Sequence, residues 1–364
     1  MAVYKIFASA DTTLYSAYPT QNTGLDEILE VASKNNSISN FVISEGSGDD
    51  IRRALVQFSD EDLQKAKNIF SGSSFSYDAY LRLYLATAEN LNTVYDVEVR
   101  QVSQSWEMGT GKFLDSPAST NGACWSTTDS ATLWNDPVYY NTVGGGNWTS
   151  TYVTQSFDYK ADKDLNVRVT DIVNSWFYGF PNDGFVIKFP IDVERSSGSY
   201  IGLSFFSVDT HTIYPPTLEF RWDDSSYNSG SLSVVNSSNT IVTVTNNPGK
   251  FKYESSAYDS SYNFRIAARD KFPVRAFTTS SIYTVNKALP PTSYWAIQDL
   301  KTEEMVVDYD YDFTKVSCDS NGSNFTIYTG GLEPERYYKI LIKIVLNSGE
   351  ILEIDNNSVF KIVK

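Results

Sequence analysis

Histidine is nearly absent from this 364-residue chain, with His211 the only one. That count excludes histidine-based metal sites. A Ser-His-Asp triad would have to be built on this one residue, and no G-x-S-x-G elbow accompanies it. His211 lies between Thr210 and Thr212, just before Tyr214-Pro215-Pro216, where a hydrogen-bonded structural role is expected. Cysteine is almost as scarce. Cys124 and Cys318 are far apart and form no CxxC motif, which excludes the usual zinc and redox patterns and points to a reducing compartment. Basic charge is outweighed, with 29 Lys and Arg against 44 Asp and Glu and a net charge of −15. Without a basic stripe to neutralise phosphates, no nucleic-acid partner is expected. No run of eighteen apolar residues occurs, so no membrane span is expected. The opening Met1–Phe7 reads as a strand and not as a secretion signal.

What is abundant is aromatic. The chain has 25 Tyr and 21 Phe, and aromatics make up 15% of it. Such side chains suit half-buried pleated surfaces, so the composition leans all-β. The strand pattern agrees. In Ala79–Leu85 the leucines at 81, 83 and 85 alternate with Tyr80, Arg82 and Tyr84, as in a strand with one buried face. Val94–Val102, Gly184–Phe189 and Leu218–Trp222 are further short apolar-rich runs of the kind that form strands. Two helices are predicted. Ser59–Phe70 opens on a cap-like Ser59 with Asp62 three residues on, and Leu63, Ala66 and Phe70 follow at helical spacing. Thr170–Tyr178 is capped by Thr170 or Asp171, with Ile172 and Trp176 on one face.

The stretch Ser225–Gly230 reads as a linker and Pro290-Pro291 as a second boundary. Three domains are therefore predicted, at residues 1–224, 225–290 and 291–364. Strands are expected in the second at Leu232–Val235, Ile241–Thr245, Phe251–Tyr253 and Tyr262–Ala268. In the third they are expected at Tyr294–Ile297, Glu304–Asp308, Phe325–Tyr328, Tyr337–Leu346, Ile351–Ile354 and Val359–Val363. Each of these two segments is the size of a small Ig-like or fibronectin-like sandwich.

Eight segments of the first domain occur in a characteristic order. They are Phe7–Tyr15, Arg53–Ser59, the strand Tyr80–Leu85 after its helix, Val97–Trp106, Gly122-Ala123-Cys124-Trp125, Leu165–Val173 with Trp176, Asn182–Ile187 and Pro215–Phe220. Together they resemble the DNRLRE-type jelly-roll family. Cys124 stands where that family usually has Thr, and Ser33–Asp50 looks like an insertion. The resemblance implies a carbohydrate-binding-module-like jelly-roll β-sandwich, with Trp106 and Trp176 in its core. Phe206–Tyr214, Trp222-Asp223-Asp224, Lys315–Ser320 and Leu332–Ile340 resemble virion structural proteins of contractile-tailed phages, particularly marine cyanophages. That resemblance implies a tail, neck or baseplate-associated component in the virion, assembled in the host cytoplasm.

The fold class expected is thus all-β, an N-terminal jelly-roll sandwich followed by one or two small Ig-like sandwiches. The function expected is non-enzymatic docking onto other virion proteins in a symmetric, multi-copy assembly. A host-glycan-binding adhesin is the alternative. Exposed rings beside polar groups would serve it, and Trp125, Trp134, Tyr139, Tyr140 and Trp148 are the candidates for glycan or protein contact, near Asp129, Asn135 and Asp136. Packing beneath the sandwich or a neighbouring subunit is the competing role for these rings. A glycoside hydrolase ranks third, because it needs a selected pair of carboxylates and no motif selects one. No cofactor is expected. Asp308–Asp312 fails the EF-hand pattern and reads as a solvated loop, and a structural Ca²⁺, known in related carbohydrate modules, has no assigned ligands here. Gly144-Gly145-Gly146 is no P-loop and reads as a flexible loop tip.

Overall fold

The computed structural model describes residues 2–33, 50–70, 76–134, 144–160, 164–196, 200–253, 261–273 and 285–364. Twenty-one strands run through them: β1 Ala2–Phe7, β2 Ala10–Tyr15, β3 Ile28–Ala32, β4 Arg52–Gln57, β5 Tyr77–Leu83, β6 Leu85–Glu89, β7 Tyr95–Val102, β8 Trp148–Phe157, β9 Leu165–Arg168, β10 Phe185–Lys188, β11 Gly202–Phe206, β12 Thr217–Trp222, β13 Thr240–Val244, β14 Lys250–Lys252, β15 Ser261–Asp270, β16 Ser293–Asp299, β17 Met305–Val307, β18 Ser317–Asp319, β19 Gly322–Tyr328, β20 Tyr337–Val345 and β21 Ile351–Val363. Three short helices, α1 Asp60–Phe70, α2 Thr170–Phe177 and α3 Ile191–Glu194, interrupt them. The class is all-β, with the strands in sandwich-forming sheets.

Two compact units emerge, and neither is a simple stretch of sequence. One comprises Ile6–Gln64 and Asp78–Glu219. The other comprises Met1–Lys5, Lys65–Tyr77 and Phe220–Lys364. In the first unit an eight-stranded sheet has the order β6-β11-β3-β4-β10-β7-β8, with β2 also paired to β4. Its central strands are buried on both faces, β10 along its whole length. Ala54, Val56, Phe185, Ile187, Val97 and Val99 are fully buried on one face. A four-stranded sheet has the order β1-β12-β5-β9. On β5 the alternating Ala79, Leu81 and Leu83 are fully buried, as the leucine pattern predicts, but the third leucine of that pattern, Leu85, is half-buried and opens β6.

In the second unit, the boundary expected at Pro290-Pro291 does not separate two sandwiches. β13 and β15 join β19 and β18 in one sheet, ordered β13-β15-β19-β18. β14 joins β21, β20, β16 and β17 in the other. Segments 225–290 and 291–364 therefore build one sandwich around one core. Phe264 of β15 stacks on Phe325 of β19 at 5.4 Å, and Phe325 stacks on Trp295 of β16 at 5.4 Å. Pro290 is buried and leads into β16, so the proline pair marks a bend inside the domain. The expected strand Leu232–Val235 is reduced to a single bridge between Val234 and Ala288. The two strands expected at Ile351–Ile354 and Val359–Val363 are one, β21.

Helix α1 starts as the sequence predicts. Ser59 Oγ accepts the Asp62 N–H at 3.1 Å, a side-chain N-cap, and its hydroxyl donates to the Asp62 carboxylate at 2.7 Å. At α2 the predicted cap is absent. The residue before the helix is Val169, with no side-chain cap bond. Thr170 Oγ1 instead accepts the Ala79 N–H at 2.9 Å and pins the end of β5. Ile172 and Trp176 are buried on one face, as expected.

Candidate functional site

The outer face of the eight-stranded sheet carries the most concentrated polar chemistry in the first unit. Successive strand residues point to opposite faces. Arg53 and Leu55 of β4 therefore share a face with Val186 and Lys188 of β10, since Val186 lies opposite Leu55. Lys188 lies opposite Glu98 of β7, and Val186 opposite Arg100. Three cations and one carboxylate are thus brought side by side by register alone. Glu194, at the end of α3, supplies the second carboxylate.

Arg53 anchors the group. Its Nε and Nη2 donate to Glu194 Oε1 and Oε2 at 2.9 and 2.8 Å, a bidentate pair. Its Nη1 donates to the Gly145 carbonyl at 2.7 Å. The Arg53 side chain is 3% exposed and that of Glu194 is fully buried. Lys188 Nζ sits 3.4 Å from Glu98 Oε2 and 3.8 Å from Glu194 Oε1, and also donates to the Phe189 carbonyl. Arg100 Nε donates to Glu98 at 2.7 Å. Burial pulls the Lys188 amine below its ordinary value, against the attraction of Glu194. Burial opposes charge on Glu98 too, but the Arg100 hydrogen bond and the Lys188 charge hold its carboxyl below the usual range. Buried charges persist only when paired and hydrogen-bonded, and here each finds a partner.

Aromatic rings close the top. The Arg53 guanidinium lies 4.8 Å from the Trp125 ring and 5.0 Å from the Trp148 ring. Lys188 Nζ is 5.6 Å from the Trp148 ring, and the Arg100 guanidinium is 4.1 Å from the Tyr152 ring. Cations over ring faces gain electrostatic attraction, more so when desolvated. The three glycines before Trp148 make this approach possible. All have positive φ, +100°, +83° and +99° at 144, 145 and 146. A Cβ on Gly145 would lie 2.4 Å from Arg53 Nη1 and 2.8 Å from the Trp125 ring. The expected flexible tip is therefore a packed, buried segment whose carbonyl binds the arginine.

The predicted contact residues divide accordingly. Trp125 and Trp148 are half-buried over Arg53. Trp134 is 3% exposed and offers no platform. It donates from Nε1 to the Cys124 carbonyl at 2.9 Å and packs with Leu14, Leu55, Val102 and Trp106. Trp106 and Trp176 are each 7% exposed, as expected for core positions. Tyr139, Tyr140, Asn135 and Asp136 lie outside the described residues. Asp129 caps its own loop, accepting the Ala131 and Thr132 N–H groups at 2.6 Å. His211 is 89% exposed and approaches Glu27 at 3.7 Å. Asp310 accepts the N–H groups of Asp312 and Phe313, folding 308–312 into a loop. Among the described residues, no group of three or more His, Cys, Asp or Glu side chains is placed to hold a metal.

Two features escape sequence reading. The first is the ion cluster, whose signal is a charged residue on the same strand face as a buried aliphatic one, Arg53 with Leu55 and Lys188 with Val186. The second is Asp11 of β2, 1% exposed. Burial pushes its carboxyl up to about 8, against the Val208 N–H bond of 2.7 Å and with help from the Asp209 charge. A groove of about 640 Å³ also opens beside β6 and the end of β8. Its walls include Asn90, Asn92, Phe157 and Tyr159, the last 64% exposed.

No protein family matches the chain, and no curated protein does. Among solved structures, the N-terminal domain of the Streptococcus gordonii adhesin Sgo0707 aligns over 100% of this chain and 81% of that one, at 7% identity and a TM-score of 0.13. At that score the likeness says nothing about fold or function.

Proposed function

We propose that this chain is a non-catalytic structural protein of a tailed-phage virion, acting by docking its β-sandwich surfaces onto neighbouring virion proteins. The observation that carries the non-catalytic part is the closed ion cluster. Arg53, Glu194, Lys188 and Glu98 satisfy one another beneath Trp125 and Trp148. These are the groups best suited to chemistry, and they hold the molecule's own 144–148 segment against the sheet. The virion part is supported by the resemblance of Phe206–Tyr214, Lys315–Ser320 and Leu332–Ile340 to tail, neck and baseplate-associated proteins. Its site of action is then the assembled particle, in several symmetry-related copies. Mass spectrometry of purified particles of the encoding phage tests this. Peptides from the whole chain at constant stoichiometry are expected, cross-linked to other virion proteins. Absence from intact particles would overturn the proposal.

The groove beside Tyr159 favours one second reading, a host-glycan-binding adhesin. An exposed ring next to the Asn90 and Asn92 amides has the composition of a saccharide contact. Glycan-array binding that disappears in Tyr159→Ala would support that reading over the first.

A further inference from the structure

Two carboxylates of the first unit each hold an oxygen that is buried and has no hydrogen-bond partner among the described residues, Asp11 Oδ1 and Asp209 Oδ2. Both belong to one turn. Asp11 of β2 is 1% exposed and reaches the turn after β11, where its Oδ2 accepts the Val208 N–H at 2.7 Å. Asp209 is the next residue, and its charge acts on Asp11. The turn itself is firmly built around Ser207, which is fully buried. The Ser207 N–H donates to the Glu27 carbonyl at 3.1 Å. Its hydroxyl donates to the Asp26 carbonyl at 2.5 Å and accepts the Asp209 N–H at 3.1 Å.

Neighbouring cations leave the two oxygens unmatched. Lys112 and His211 act on Asp209 through space, yet no donor reaches its Oδ2. His211 faces Glu27 at 3.7 Å and is 89% exposed. Two like charges in so dry a place repel, and a buried carboxylate stays ionised only when paired or bound to a metal. Both orphaned atoms are acceptors, so what completes them is a cation or a donor. Size favours the ion. A calcium ion sits about 2.3–2.6 Å from its oxygens, closer than the roughly 2.7–2.8 Å of a water, and fits where a water does not.

We infer that Asp11 and Asp209 form a calcium site that fastens the start of β2 to the turn after β11. Hard oxygen donors carrying two negative charges match Ca²⁺, and backbone carbonyls and water supply the rest of its roughly six to eight oxygens. Mg²⁺ gives up its own waters reluctantly, which sets it at a disadvantage in a dry site. The ion would join segments 197 residues apart, as the Asp11–Val208 bond already does. With calcium chelated, a proton on Asp11 takes the ion's place, and loading releases it. Neither the virion role nor the Arg53 cluster depends on this site.

Scanning calorimetry on the full chain, stripped with EDTA and then given about 5 mM CaCl₂, tests it. At about a hundredfold excess over Kd the first unit is expected to gain about 5–10 °C in Tm. Asp209→Asn is expected to abolish that gain. Asp312→Asn, on the exposed 308–312 loop, is expected to keep it. A wild-type Tm indifferent to calcium, or a full gain in Asp209→Asn, overturns the inference. So does an equal gain with MgCl₂ at the same concentration, which marks general screening of an acidic surface. Should Asp209→Asn fold poorly, native mass spectrometry of the wild type decides. About one Ca²⁺ retained per chain is expected, and none retained overturns the inference.

Discussion

Replacing Arg53 by Met probes whether the buried ion cluster holds the first unit together. The substitution keeps the bulk of the side chain between Trp125 and Trp148 but leaves Glu194, fully buried, without its bidentate partner. It also strips the Gly145 carbonyl of its donor. Breaking a buried pair by removing one member costs about 3–5 kcal/mol, mostly as an uncompensated charge. Lys188, 3.8 Å from Glu194, takes up part of that charge, so the lower end, about 3 kcal/mol, is expected. In a unit of roughly 200 residues this lowers Tm by about 6–12 °C. Scanning calorimetry measures the drop. Tryptophan emission is expected to shift to the red as water reaches Trp125 and Trp148. Adding Glu194→Leu removes the stranded carboxylate, so Arg53→Met/Glu194→Leu is expected to recover at least half of the loss, a coupling read by the double-mutant cycle. A single variant within about 0.5 kcal/mol of wild type, or a double variant no better than the sum of the singles, would refute the reasoning.

Asp11 predicts a pH dependence of stability. Its folded carboxyl titrates at about 8, above the ordinary 3.8, so the folded state binds this proton more tightly than the unfolded chain. The stability it contributes is complete below pH 4 and is lost as pH rises to about 8, at no more than about 1.4 kcal/mol per pH unit. Asp11→Asn is expected to raise stability at pH 8.5 by about 2–4 kcal/mol and to flatten that slope in denaturant titrations, and an unchanged slope would sink the assignment. Gly184→Ala tests the β4–β10 contact. Gly184 has φ +81°, and an added Cβ would lie 2.3 Å from the Val56 carbonyl oxygen. A loss of at least about 2 kcal/mol is expected in thermal unfolding, and a neutral result would contradict the packing described.

Much of the fold was legible because its strands obey a local rule. Ala79–Leu85, Val94–Val102, Gly184–Phe189 and Leu218–Trp222 fall on β5, β7, β10 and β12, where alternation or continuous burial follows from which faces are covered. Ser59 and Asp62 announced α1 because an N-cap is also local. What depends on distant pairing was hidden. Pro290-Pro291 has the composition of a linker, yet β15 and β19 on either side of it pair residue by residue from Ser261↔Tyr328 to Ile266↔Ser323. Val169 precedes α2 uncapped because Thr170 is recruited by Ala79, 91 residues away. The candidate site shows the same limit. Its tryptophans were visible as rings in a loop-rich stretch. Their role was not, because Arg53 meets Glu194 across 141 residues, and a charged residue in a strand pattern reads as solvated.

The discontinuous make-up of the second unit bears on the order of folding. Its pieces are Met1–Lys5, Lys65–Tyr77 and Phe220–Lys364, and its closing strand β21 pairs with both β20 and β14. During synthesis the unit from Ile6 to Glu219 has all its strands long before β21 emerges. Tyr4 and Trp222 meanwhile wait for Tyr328, which meets them at 6.0 and 5.3 Å. Pairings this remote in sequence form slowly, and the exposed rings are sticky in the interval. A fragment ending near residue 224 keeps Tyr4 and Trp222 without Tyr328, so aggregation of such a fragment follows from its chain topology even though every strand of the eight-stranded sheet is present.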